Sequence, residues 1–196
     1  MTRLLGPDEP LGVRQLRRIA VAGPAGSGKS TLVRTLCERL GVPYVSLESF
    51  YLGPGWTMRE TWEAEVLGFL DGDVWAIEWQ GEEVRERMTA RLDVLVWLDH
   101  PRALVLARVV ARTLRRRFGR GPEIAAGNVE GPLRTFFTDR EHIVRVAWRY
   151  HPILRARVRK VIDENRHPGL VVVRLRGQHQ VDSWLRGPVS ALLGGR

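Results

Sequence analysis

The sequence predicts an α/β protein of three layers, a five-stranded, mostly parallel sheet with helices on both faces and a basic lid. Three observations carry this reading. Short apolar runs alternate with helical patterns along the 196 residues. Several of these runs are continuously apolar rather than alternating, as strands covered on both faces are. The first of them, Ile19-Ala20-Val21-Ala22, leads directly into the glycine-rich octapeptide Gly23-Pro24-Ala25-Gly26-Ser27-Gly28-Lys29-Ser30.

Residues 18 to 22 read as the first strand. From Ser30 to Leu40, apolar residues at Leu32, Val33, Leu36 and Leu40 give helical spacing, and Gly41 stops the helix. Pro43 to Leu47 reads as a second strand, residues 60 to 70 as a helix, and Val74 to Glu78 as a short third strand. After a helix from about Glu82 to Leu92, Val94-Leu95-Val96-Trp97-Leu98 is the clearest buried strand. It ends at Asp99, and His100-Pro101 turns into a long basic helix, Arg102 to about Arg117. Gly119, Gly121, Pro122, Gly127, Gly131 and Pro132 then make residues 117 to 135 a mobile loop or lid. Helical pattern resumes from Leu133 to Asn165, interrupted near Pro152. Leu170 to Leu175 is the fifth strand, and a last helix spans Val181 to Leu193. With no repeat, linker or composition break, the expectation is one domain over 1–196, residues 1–16 being an N-terminal extension.

Composition agrees. A chain with 44% hydrophobic residues can bury a core without disulfides or metals. The one cysteine, Cys37, has no partner within the chain and falls in the apolar helix after the glycine-rich loop, where it reads as core packing in a reducing cytosol. No segment resembles a signal peptide or a membrane span, so the expected location is cytoplasmic. The net charge of +9 is densest from Arg102 to Arg120, with seven arginines and no acid. That density suits a nucleic-acid backbone, but it serves a polyphosphate substrate as readily, and no nucleic-acid-binding signature accompanies it.

The octapeptide is a complete G-x-x-x-x-G-K-[ST] phosphate-binding loop. Polyphosphate needs many donors converging on a small concave surface, and glycines leave the backbone N–H groups open to it. Lys29 would reach the β and γ phosphates of ATP, the Ser30 hydroxyl would coordinate Mg²⁺, and backbone groups from Gly23 through Thr31 would cradle the anion at a helix N-terminus. The chain has two lysines, Lys29 and Lys160, and 29 arginines. Its own residue frequencies give roughly two chance matches to the motif per thousand such sequences. The compact ammonium stands where a phosphate loop uses one.

In a parallel sheet, ligands lie beyond the carboxyl ends of the strands, and three acids stand there. Glu48 would assist a hydroxyl acceptor as a base, while Glu78 and Asp99 are alternatives for orienting the metal. Arg112 and Arg116, at helical spacing with Arg108 and Arg115, would meet the phosphates as the lid closes. Phe50, Tyr51 and Trp56 are candidates to stack on a planar base.

Two segments carry a family resemblance. Ser46-Leu47-Glu48-Ser49-Phe50-Tyr51 resembles the S-x-D-S-F-Y segment of uridine kinase-like proteins, with Glu in place of Asp. Tyr51 to Trp56, Trp75-Ala76-Ile77-Glu78, and Asp93 to Arg117 are similar to adenylate kinase-like proteins of the DNA topology modulation group. That group tends to have Asp-Gly-Asn where this chain has Glu78-Trp79-Gln80-Gly81. The resemblance implies the P-loop NTPase fold, Glu78 as the acid that orients metal-bound water, and Arg176 beside an adenine pocket. It implies a Mg²⁺-dependent, ATP-using kinase acting on a nucleoside or nucleotide. Two alternatives stand beside this expectation, a nucleotide-binding regulatory ATPase acting with nucleic acid, and a kinase for a sugar, a shikimate-like acid or an antibiotic.

Overall fold

The strands β1 (Arg3–Leu5), β2 (Arg18–Ala22), β3 (Trp75–Glu78), β4 (Val94–Leu98) and β5 (Val171–Leu175) form one sheet in the order β1-β5-β4-β2-β3. All four pairings are parallel. These elements belong to a computed structural model that describes residues 1–117 and 142–194. The expected lid at about 117–135 lies outside the described residues, apart from its first position.

Because side chains alternate along a strand, the sheet sorts its residues onto two faces. Ile19, Val21, Ala76, Val94, Val96, Leu98, Val171 and Val173 share one buried cluster with Leu32, Val33, Leu36 and Cys37 of α1 (Lys29–Leu40) and with Val181 and Trp184 of α7 (Gln178–Trp184). Ala20, Ala22, Ile77, Leu95, Trp97 and Val172 form the other cluster. It is closed by Leu47 of α2 (Leu47–Tyr51), by α3 (Trp62–Leu70) and α4 (Glu82–Arg91), and by Leu154 and Val158 of α6 (Ile143–Glu164). α5 (Arg102–Arg117) packs against α6. Trp75, Trp79, Trp97 and Trp184 are fully buried, and truncating such a side chain costs about 3–5 kcal/mol. Cys37 is buried with Sγ 3.6 Å from the Ala76 carbonyl oxygen, and burial pushes its thiol pKa up, as suits a packing residue.

Gly41 ends α1 as expected. It adopts φ 70°, and the Val42 N–H returns 3.0 Å to the Cys37 carbonyl, which closes the helix in the left-handed geometry that glycine permits.

The structure corrects three expectations. Pro43 to Leu47 is not a strand. Pro43 offers no N–H to a ladder, Val42 and Tyr44 pack instead against the α1 face, and the chain enters helix α2 at Leu47. The strand that makes up the five in place of Pro43 to Leu47 comes from the supposed N-terminal extension, where Arg3–Leu5 pairs with Val171–Val173 at the far edge. Pro152 does not interrupt α6, which runs through it. A proline frees the carbonyl four residues earlier, and here the Trp148 oxygen accepts from Arg102 Nη2 at 2.6 Å. A second proline, Pro188, is absorbed by a wider π turn, Leu185–Val189, before α8 (Ser190–Leu193). The Leu185 carbonyl there accepts from Ser190 Oγ at 2.8 Å and Arg39 Nη1 at 2.6 Å.

Among the described residues, no helix is long and apolar enough to cross a membrane.

Candidate active site

The glycine-rich loop leaves the carboxyl end of β2, an interior strand between β4 and β3, and delivers the chain to the N-terminus of α1. Ser27 N–H donates to the Pro24 carbonyl at 3.1 Å, and Leu32 N–H begins the helix on Gly28 at 3.0 Å. Gly26 and Gly28 take φ 81° and 94°, conformations that a side chain strains. Gly26 is also held closely by α5, because a Cβ there would lie 2.8 Å from the Val105 carbonyl oxygen and 2.5 Å from Val109 Cγ2. Gly26→Ala is therefore expected to lower stability by about 1–3 kcal/mol and to weaken nucleotide binding. Thermal melts and a nucleotide titration check this, and wild-type behaviour in both would contradict the close packing of α5 on the loop.

Lys29 opens α1, half-buried, with Nζ 3.3 Å from the Pro24 carbonyl oxygen. Desolvation holds its pKa below the usual lysine value. Arg112 pushes it the same way, and Glu78 and Glu48 oppose them. Lys29 therefore sits within electrostatic reach of all three groups.

β3 supplies Glu78. Its side chain alternates with Ile77 and so falls on the α1 face with Ala76, where Ser30 Oγ donates to Glu78 Oε1. Gln80 Nε2 donates to Glu78 Oε2 at 3.1 Å. Glu78 is 3% exposed. Tyr44 closes the same corner. Burial, and after it Glu78, raises the pKa of its hydroxyl against hydrogen bonds to Ser46 and Ser30, and Arg34 lies 4.8 Å over its ring. A hydroxyl beside a carboxylate suits a cation such as Mg²⁺, which takes few protein oxygens and completes its shell with water and phosphate. No group of three or more His, Cys, Asp or Glu side chains able to hold a metal occurs among the described residues.

Glu48 lies in the first turn of α2 rather than after a strand. Its carboxyl is accessible to solvent but set close enough to protein that desolvation raises its pKa. Glu78 adds to the rise, and Lys29, Arg112 and Arg116 oppose it. Lys29, Arg112 and Arg116, drawn from α1 and α5, thus lie within electrostatic reach of Glu48 on α2, as does Glu78. The three aromatic candidates do not act together. Phe50 packs against Phe69 with ring centroids 5.8 Å apart, and Tyr51 meets Trp62 edge-on at 5.9 Å. Trp56 stays 51% exposed at φ 62°, in the 3-10 turn Pro54–Trp56.

Asp99 is not beside Ser30. It continues the Trp97 side of β4, away from Glu78, and its carboxylate is taken by Arg174, through Nε at 2.7 Å, and by Arg155 at 3.0 Å. Arg176, expected beside an adenine pocket, stands exposed just after β5. It lines a cavity with Asp99, whereas the cavity beside the loop, about 500 Å³, is lined by Gly28, Thr31, Thr35, Arg108, Gln178 and Asp182 among others. Arg108 bridges it, with Nη1 3.4 Å from the Ser27 carbonyl oxygen and Nη2 3.3 Å from Gln178 Oε1. Sequence reasoning missed Tyr44, Gln80 and Gln178 as site residues. Gln80 was findable as the amide two residues beyond a strand-ending acid, while Tyr44 and Gln178 depend on tertiary placement.

No family model matches the chain. A shikimate kinase of Bradyrhizobium diazoefficiens is 30% identical over 147 residues, covering 65% of this chain and 67% of that protein. A bifunctional pantoate ligase/cytidylate kinase of Gloeobacter violaceus is 42% identical over 74 residues, 37% of this chain but 13% of that longer protein. A protein of the same name from Synechococcus is 43% identical over 42 residues, 21% of this chain and 9% of that protein. With a glycine-rich loop joining an interior parallel strand to a helix and these similarities, the chain belongs to the family of phosphate-loop kinases represented by this shikimate kinase and these cytidylate kinase domains.

Proposed function

We propose that the chain is a phosphotransferase that moves the γ-phosphoryl group of Mg-ATP onto a hydroxyl of a small acceptor bearing negative charge, a hydroxy acid of the shikimate type being the first choice. The observation that carries this reading is the position of Glu48, an accessible carboxylate of raised pKa set among Lys29, Arg112 and Arg116 rather than in a flat aromatic pocket. In phosphoryl transfer the protein aligns donor and acceptor and neutralises spreading charge. The acceptor oxygen bonds to the γ-phosphorus, the bond to the β,γ-bridging oxygen breaks, and the acceptor proton passes to Glu48. Lys29, Arg112 and Arg116 face the charge that moves. Ser30 and Glu78 would hold Mg²⁺, which when bound offsets phosphate charge. The cavity under Arg108 would take the donor's nucleoside, with Gly23 to Thr31 around its phosphates.

A nucleoside or nucleoside monophosphate acceptor is the second reading. It is favoured by Trp56, an exposed aromatic held in a strained backbone conformation just beyond α2. One experiment separates the readings: ADP release from Mg-ATP with shikimate and other hydroxy acids, sugars, nucleosides, nucleoside monophosphates and nucleic acids. Turnover stimulated by hydroxy acids and lowered at fixed Mg²⁺ in Glu78→Gln is the expected result. Stimulation by cytidine nucleotides and loss of it in Trp56→Ala would select the second reading, and a slow rate changed only by nucleic acid would replace both with a regulatory ATPase.

A further inference from the structure

We propose that the cavity between the start of α5, the middle of α6 and the end of β5 is a second binding site, for a small polyanion bearing phosphate or carboxylate groups, separate from the phosphate loop. The cavity measures about 490 Å³, enough for a metabolite-sized ligand. Its wall carries four guanidinium groups, Arg102, Arg155, Arg174 and Arg176, against the single carboxylate of Asp99.

Three of the four arginines are held in place by the fold, and one carboxylate serves two of them. The Asp99 side chain, 3% exposed, orients two of them. It accepts from Arg174 Nε at 2.7 Å and faces Arg155 Nε at 3.0 Å, while Arg174 stacks over Trp97 at 4.7 Å. Arg102 is fixed by the carbonyl that Pro152 leaves free, and its guanidinium lies 3.4 Å over the Trp148 ring. Arg176 is exposed. Its backbone N–H donates to Gln180 Oε1 at 2.7 Å, and its side chain has no partner among the described residues.

A structural ion pair would need one or two arginines around Asp99. Arg102 and Arg176 face the same cavity with no carboxylate of their own among the described residues, so the wall repels itself until an anion fills it. Planar guanidinium groups already held in place lose little freedom on binding and suit the paired oxygens of phosphate or carboxylate. His100 and His151 form part of the lining, with His151 Nε2 3.0 Å from the His100 carbonyl oxygen. Burial holds the His100 pKa below its usual value, which disfavours a positive charge on that ring. The site does not rest on the kinase reading.

The test is calorimetric titration of inorganic pyrophosphate, and separately of citrate, into the full chain saturated with Mg-ADP so that the phosphate loop is filled. One saturable event per chain is expected, the better probe telling phosphate from carboxylate chemistry, and the event persists in nucleotide-free Lys29→Ala protein. Arg176→Glu, at an exposed position, should weaken it about tenfold or more, as loss of a charge-assisted contact does, with the melting temperature unchanged. Arg102→Gln should weaken it as well. Absence of saturable binding by both probes, or binding that neither variant changes, would overturn the proposal. An event present in the nucleotide-free wild type but abolished by Mg-ADP would assign the anion to the phosphate loop instead.

Discussion

Lys29→Ala is expected to lower kcat/KM for ATP by about a hundredfold to a thousandfold, the range for removing one preorganised donor to transition-state charge, while leaving the melting temperature unchanged or slightly higher. The two effects separate because of where the ammonium sits. Desolvation at the N-terminus of α1, with Arg112 acting in the same direction, depresses its pKa, so the charged form is disfavoured by folding and its removal relieves the fold. The sign follows from linkage. A lysine with a lowered native pKa destabilises the fold at pH values below that pKa, and the penalty fades as pH rises and the group is neutral in both states. Phosphate reverses the balance by supplying the counter-charge. Lys29→Arg should rescue little, because a planar fork does not fit a point-charge site between Pro24, Glu48 and Glu78. Nucleotide titration of the folded variant is the check, and unchanged affinity would remove Lys29 from the phosphate site.

Much of the fold was legible where local pattern and burial agree. The run Val94 to Leu98 is buried at every position and is a central strand, and the octapeptide after β2 specifies its own turn through Gly26 and Gly28. Legibility failed where a residue's partner is remote. Pro43 to Leu47 has strand composition, but a strand needs a ladder, and its backbone meets none. Arg3–Leu5 is too short to announce itself and is a strand because β5 offers it a free edge. The candidate site divided in the same way. Motif spacing fixes Lys29 and Ser30 locally. Glu78 and Asp99 both close apolar strands and look equivalent in one dimension, and only the alternation of each strand in the folded sheet sends one to Ser30 and the other to Arg155 and Arg174. The finer resemblances rested on Ser46 to Trp56, which folds as a short helix and a 3-10 turn, together with Trp75 to Glu78 and Asp93 to Arg117. The relatives that match over longer stretches bear the names of two kinases with different acceptors, so acceptor chemistry has to be argued from Glu48 and its neighbours.

Glu48→Gln is expected to lower kcat by about a hundredfold to ten-thousandfold, the range for removing a general base, with ATP affinity nearly unchanged, because the proposed role sets the carboxylate against the acceptor rather than the nucleotide. The pH profile gives the sharper readout. Desolvation and Glu78 raise the Glu48 pKa, so the ionised, proton-accepting form is lost at a higher pH than for an ordinary glutamate. In the wild type, kcat should fall with a slope of one proton as pH drops through that raised value. In Glu48→Gln the limb should flatten rather than shift. Stability must run the other way. A carboxyl whose native pKa is raised contributes stability below its unfolded pKa, and that contribution is lost as pH rises through the native pKa. At neutral pH the glutamine variant should therefore melt no lower than the wild type, even with its turnover nearly abolished. A variant that kept the acid limb would place the titrating group elsewhere, and Glu78, which repels Glu48 across the same cleft, would be the residue to substitute next. A variant that lost ATP binding along with turnover would make Glu48 part of the donor site, and the acceptor would then have to be sought beside the exposed Trp56.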